Sequence, residues 1–320
     1  MNRRKTLGAL GAGTLALAAP FVVRAQTVTR LLVGATPGGG TDIVARALAQ
    51  ELSSRLGRQF VVDNRPGAAG NIAAQAVAKS APDGGTLLLS YTSHVINPSL
   101  YAGRMPFDAQ TDFSPLAGIA TLPAILVAKP GLPVSNISEL IALAKSRPGK
   151  LNLAIAGLGS SNHLAGEMLK VEAGIDIAGV PYKGTGPALQ DVVAGQIDLA
   201  ISGVASVQQL IKAGKVKALG VTSAQRLTEF PAVGAIAEVI PGFDFSSWYG
   251  LFGPAGMNAD LAERISVAAR EALQSPAMRE RFKSEGLIAV GSNRSEFTQF
   301  VKTEIPRWAK IVAATGAKPE

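Results

Sequence analysis

Cysteine occurs nowhere in the 320 residues. Its absence excludes disulfides, cysteine-ligated zinc, a thiol nucleophile and a lipid-anchored cysteine at an export junction. Histidine is nearly as scarce: His94 and His163 are the only two, and neither stands in a H-E-x-x-H or comparable metal spacing. Aromatic residues make up 5% of the chain and no block of Lys and Arg lies beside them, so nucleic acid is not an expected partner. Beyond the first 25 residues no apolar run approaches the roughly 20 residues that a membrane span requires.

What remains is a chain with 47% hydrophobic and 17% charged residues, a globular composition with enough length for two domains. Its first 25 residues read as an export signal. Arg3, Arg4 and Lys5 precede a Gly- and Ala-rich apolar run from Leu7 to Val23, and Ala25 offers a small residue for cleavage before Gln26. The paired arginines suggest the twin-arginine route, although Thr6 stands where that signal usually has an aromatic residue, and Sec export stays open. Removing this segment takes the formal net charge from +8 to +4, because it carries Arg3, Arg4, Lys5 and Arg24 and no acidic residue. A freely diffusing periplasmic protein is expected.

Apolar, β-rich runs alternate with helical patterns almost throughout, which predicts an α/β fold with mostly parallel sheets. Strands are expected at 29–34, 59–62, 86–90, 124–128, 151–155, 177–182, 197–202, 217–222 and 248–252. Ile43, Val44, Ala47, Leu48, Leu52 and Leu56 recur at helical spacing, with Gly57 as a stop. Leu189–Ala194 repeats that design between Pro187 and Gly195. Two stretches, near residues 123 and 223, read as crossings between lobes. The expected organisation is therefore a first lobe from 26–123 and 224–320, a second lobe inserted at 124–223, and a hinge made of both crossings.

Glycine-rich turns follow several of these strands. The first is Thr36-Pro37-Gly38-Gly39-Gly40-Thr41-Asp42, where bare backbone and a helix start suit an anion. A P-loop would need a lysine here, and a dinucleotide fingerprint would need a glycine where Ile43 stands. The competing reading is a plain strand-to-helix turn capped by Thr41, with Asp42 serving helix-end electrostatics. Gly157-Leu158-Gly159-Ser160-Ser161-Asn162 and Gly184-Thr185-Gly186 are similar turns in the second lobe. Neither completes the dinucleotide spacing, since Asn162 and Leu189 occupy the third glycine positions. Ser160 and Ser161 lack a G-x-S-x-G elbow. Lys183 is a Schiff-base lysine in principle but reads more simply as a rim cation. No catalytic constellation emerges, no cofactor is implied, and a cleft between lobes is the economical ligand site.

Taken together, "PGGGTDIVARALAQELSSRLGRQFVVDNRPGAAGN", "INPSLY", "HLAGEMLK", "VPYKGTGPALQDVVAGQID", "VTSAQR" and "SSWYGLFGPAG" resemble the Bug (Bordetella uptake gene) solute-binding receptors of tripartite tricarboxylate transporters. The resemblance runs from about residue 29 to 310. It implies a two-lobed, type II periplasmic-binding-protein-like fold with two hinge crossings, closing on a small organic carboxylate held largely by backbone amides and bridging waters. By matching motif it assigns ligand contacts to Thr36, Pro37, Gly38, Gly39 and Thr41, and to Ser90, Tyr91, Thr92 and Asn97. In the second lobe the matches are Gly157, Gly159, Ser160, Ser161 and His163, then Tyr182, Lys183, Gly184 and Thr185. Ser202 departs from the pattern by standing where many relatives carry an Asp, which disfavours ligands whose ammonium needs a counter-charge.

The expected function is capture without chemistry: open lobes admit the acid, closure desolvates it, and the closed form docks on a membrane permease, most simply as a monomer. A receptor feeding a signalling partner is the first alternative. An enzyme acting on a phosphorylated or nucleotide ligand is the second, and the missing loop lysine and the export signal speak against it.

Overall fold

The computed structural model describes residues 28–156 and 160–315; the export segment at 1–25 lies outside them, as do Gly157 and Gly159. The chain opens with β1 (Thr29–Val33), α1 (Gly40–Leu56), β2 (Phe60–Asn64), α2 (Asn71–Ala78), β3 (Thr86–Tyr91), α3 (Ser93–Leu100) and the long β4 (Phe113–Ala128). It continues with α4 (Ile137–Ser146), β5 (Asn152–Ala156), α5 (Ser161–Ala173), β6 (Ala178–Tyr182), α6 (Thr185–Val193), β7 (Leu199–Gly203), α7 (Val204–Lys212) and β8 (Lys217–Val221). It ends with β9 (Ser246–Pro254), α8 (Ala259–Ala272), α9 (Pro276–Glu285), β10 (Ile288–Ser292) and α10 (Arg294–Thr315). Gly57 ends α1 in the left-handed conformation at φ 62°, as its position after the helical pattern predicts.

β4 belongs to both lobes. Its first part pairs with β9 and β10, and its last five residues, Ala124–Ala128, pair with β7 and β8. Around it the strands run β2-β1-β3-β9-β4-β7-β5-β6. Two expectations need correction. The pairs among β1, β2 and β3 and among β5, β6 and β7 are parallel, but every pairing made by β4 or β9 is antiparallel, because these strands carry the chain between lobes. And β4 starts at Phe113, not at 124: Pro115, Gly118 and Pro123 disguise it, the register slipping after Pro115 and again after Gly118. β10 was not expected either: its run Ile288-Ala289-Val290 is apolar, yet those side chains are exposed on a short strand that pairs only with β4.

Alternation along the strands sorts the core. Leu31, Val33, Leu87 and Leu89 face α1 and α8 on one side of the first lobe, and Ile125, Val127, Val192 and Val207 fill one side of the second. The intervening Leu32, Leu88, Ala124 and Leu126 face a third apolar cluster, which runs unbroken through both lobes and includes Met168, Phe245, Phe252 and Trp308. Behind the hinge α10 closes this cluster. Trp308 donates to Glu304 at 2.9 Å, and Arg307 donates to the Asp244 carbonyl and approaches Met168 Sδ at 3.6 Å.

The two crossings are bolted together at one point. Thr222 donates from its N–H and its hydroxyl to the Ala124 carbonyl at 2.9 and 3.1 Å, and its hydroxyl oxygen accepts from the Ala124 N–H at 2.9 Å. The Thr222 carbonyl accepts from the Phe245 N–H at 2.7 Å. Between those points, Leu227, Phe230 and Ala235 pack on the second lobe, and Val221 donates to the Gly234 carbonyl. Thr222→Val keeps the shape but orphans the Ala124 N–H. Denaturant unfolding should show a lower midpoint at unchanged slope, corresponding to a loss of about 1–3 kcal/mol.

Candidate functional site

A cavity of about 570 Å3 opens between the lobes. Five helices begin on its wall: α1 through Thr41, α3 through Ser93, α5 through Ser161, α6 through Thr185 and α7 through Gly203 and Ser206. Each start presents N–H groups without helical partners and a partial charge of roughly +0.5. The wall carries hydroxyls in addition, from Thr92, Ser160, Ser202 and Ser247, and the apolar residues Ala69, Ile96, Leu122 and Ala124. Among the described residues no Lys, Arg, His, Asp or Glu lines it. Such a site suits an anion that is held by dipoles and hydroxyls instead of by a counter-ion.

Most of these side chains are fixed by the fold. The Thr92 hydroxyl accepts from the Trp248 N–H at 2.9 Å, tying α3 to β9. Ser160 caps α5 by accepting from the His163 N–H at 3.2 Å. Ser247 of the first lobe donates to Ser161 of the second at 2.9 Å, a direct bond across the cavity. Tyr91 and Tyr249 also stand on the wall, and burial raises the pKa of both. Two buried polar atoms of wall residues, Ser202 Oγ and Trp248 Nε1, have no hydrogen-bond partner among the described residues.

The expected ligand residues divide into those on the wall and those elsewhere. Thr41, Tyr91, Thr92, Ser160, Ser161, Thr185 and Ser202 line the cavity. Thr36, Pro37, Gly38 and Gly39 do not, and the Gly38 N–H is already bonded to Asp42 Oδ2 at 2.9 Å. Burial works against that carboxylate, but hydrogen bonds from Arg46 and Gly38 outweigh it and hold its pKa below the ordinary value. Thr41 is not the cap of α1, which begins one residue earlier with Gly39 as N-cap. Ser90 is buried within β3, and Asn97 donates to the Ala69 carbonyl at 3.1 Å and to Asn71 at 2.8 Å. His163 lies beside the wall, 3.7 Å from Glu167, and burial lowers its pKa against the pull of that carboxylate. The Tyr182 hydroxyl donates to Asp191 at 2.6 Å, which pushes its pKa up to about 12. Lys183 and Gly184 sit outside the wall, the lysine exposed.

Sequence reasoning missed Ser247, Trp248 and Tyr249 of β9, together with Ala69, Ile96 and Asn162. One signal was present: a strand that resumes directly after the second crossing has to pass through the hinge, so its first residues border the cleft.

His94 is not part of this site. It is buried among Phe107, Phe113 and Phe252, with the Phe252 ring 4.5 Å away, and Nε2 bonds the Ala109 carbonyl at 3.0 Å. Burial lowers its pKa to about 4. The unfolded chain therefore takes up this proton first, so the stability from neutral His94 is complete above the unfolded value near 6.5 and drains as pH falls toward 4. The loss amounts to about 3 kcal/mol. His94→Gln should flatten that part of the profile in denaturant melts between pH 7 and 4.

The sequence profile for tripartite tricarboxylate transporter family receptors matches residues 44–317. Protein BugT of Bordetella pertussis is 37% identical over 326 residues, covering 99% of each chain. Among solved structures, Rpa4515 of R. palustris with adipate is 34% identical with a TM-score of 0.73, covering 92% of this chain and 99% of its own. MatC of Rhodopseudomonas palustris with bound malate is 32% identical with a TM-score of 0.70, covering 89% and 99%.

Proposed function

Because the chain belongs to the tripartite tricarboxylate transporter receptor family, we propose that it captures a small organic carboxylate between its lobes and presents it to the permease of such a transporter. The observation that carries this reading is the uncharged cavity on which five helix starts converge. Its volume of about 570 Å3 suits a metabolite-sized ligand. Carboxylate oxygens would satisfy first-turn N–H groups and the orphaned Ser202 hydroxyl, and the apolar wall residues Ala69, Ile96, Leu122 and Ala124 would pack the carbon skeleton. The solved relatives with adipate and with malate support the ligand class.

The finer points belong to the same proposal. The ligand contacts are the wall residues Thr41, Tyr91, Thr92, Ser160, Ser161, Thr185 and Ser202, with Ser247 and Trp248 added. The lobes are 26–123 and 224–320 against 124–223, with 224–245 riding on the second lobe before the chain returns at β9. The mature receptor is a periplasmic monomer, cleaved near residue 25, that makes and breaks no bond of its ligand.

A thermal-shift panel of malate, adipate, citrate and benzoate against aspartate and glutamate tests the reading. At least one plain acid should raise the melting temperature, and neither amino acid should, because the wall offers no carboxylate to an ammonium group. Silence from every acid would end the carboxylate reading. Ser202→Asp places a charge on that wall and should weaken any acid that binds by at least about tenfold in calorimetric titration.

A further inference from the structure

Among the described residues only two non-glycine residues have positive φ, and they are neighbours: Ala68 at 45° and Ala69 at 51°. The left-handed region disfavours any residue with a Cβ, and strain of this kind persists only where the surroundings impose it. Here they do. Asn97, itself 1% exposed, donates to the Ala69 carbonyl and to Asn71. The next residue, Gly70, lies so close to Gly34 that a Cβ built on Gly34 would stand 2.5 Å from the Gly70 Cα. Tyr91 completes the clamp by donating to the Gly34 carbonyl at 3.4 Å.

Glycine would occupy this backbone without strain, so the alanine side chain calls for a reason. Ala69 stands on the cavity wall and Ala68 does not. Ala69 shares that wall with the apolar residues Ile96, Leu122 and Ala124. We propose that the Ala69 methyl is a specificity-determining contact: the clamp centred on Asn97 holds an L-residue in left-handed backbone so that a methyl group meets the carbon skeleton of the bound acid. This rests on the carboxylate reading of the cavity. It places a ligand contact in the loop after β2, outside the glycine turns singled out by motif.

The two alanines supply matched variants. Ala69→Gly and Ala68→Gly relieve the same backbone strain, and each should melt at or above the wild-type temperature, by up to about 3 °C. Calorimetric titration with adipate and with malate should then separate them. Ala68→Gly should bind as the wild type does, whereas Ala69→Gly should lose about fourfold in affinity for the acids that the wild type binds, the worth of one buried methyl. Unchanged affinity in Ala69→Gly, or an equal loss in both variants, overturns the proposal while leaving the carboxylate reading intact. Lower melting temperatures for both variants would overturn the strain on which it depends. A wild type that binds none of malate, adipate, citrate and benzoate overturns it together with its premise.

Discussion

The rest of the molecule depends on the junction of Ala124 and Thr222. Two chain segments pass between lobes, and at that point three hydrogen bonds make them one unit. β4 continues through the junction as a strand of both sheets. As a result the carboxyl ends of β1, β3, β5, β6 and β7 open toward the same gap, and the helices that follow them start there. The helix starts converge because the strands are so placed. The loops alone would not achieve it.

That convergence decides the electrostatics of the site. A lysine or arginine would bind any anion strongly and would itself need desolvation when the lobes close. Oriented N–H groups and hydroxyls are already fixed by secondary structure and by bonds such as Ser247 to Ser161 and Thr92 to Trp248, so little has to reorganise around an arriving acid. Two carboxylates on the helices that start there are already engaged: Asp42 of α1 with Gly38 and Arg46, and Asp191 of α6 with Tyr182. The lining of the cavity thereby carries no Lys, Arg, His, Asp or Glu among the described residues.

Much of the architecture was legible because it is local. The run Leu31-Leu32-Val33, the helical spacing from Ile43 to Leu56 and the stop at Gly57 each follow from neighbours in sequence, and the two crossings follow from interruptions of that rhythm. What stayed hidden is long-range. Ser247 meets Ser161 across 86 positions, and nothing near either residue records it. Asn97 and Tyr182 match ligand-contact motifs, yet their hydrogen bonds go to Ala69, Asn71 and Asp191, a choice of partner made only by tertiary packing. β4 was obscured for a different reason: Pro115 is tolerated where its register slips, and Pro123 where it passes from pairing with β9 to pairing with β7.

The apolar cluster that runs through both lobes bears on how the chain acquires its shape. Its members reach from Leu32 near the start to Val312 near the end, and α10, which covers the hinge, is the last element of the chain. Neither lobe owns a complete interior, so synthesis or secretion of the amino-terminal portion leaves a large greasy face waiting for the final helix. Assembly is consequently tied to delivery of the whole polypeptide.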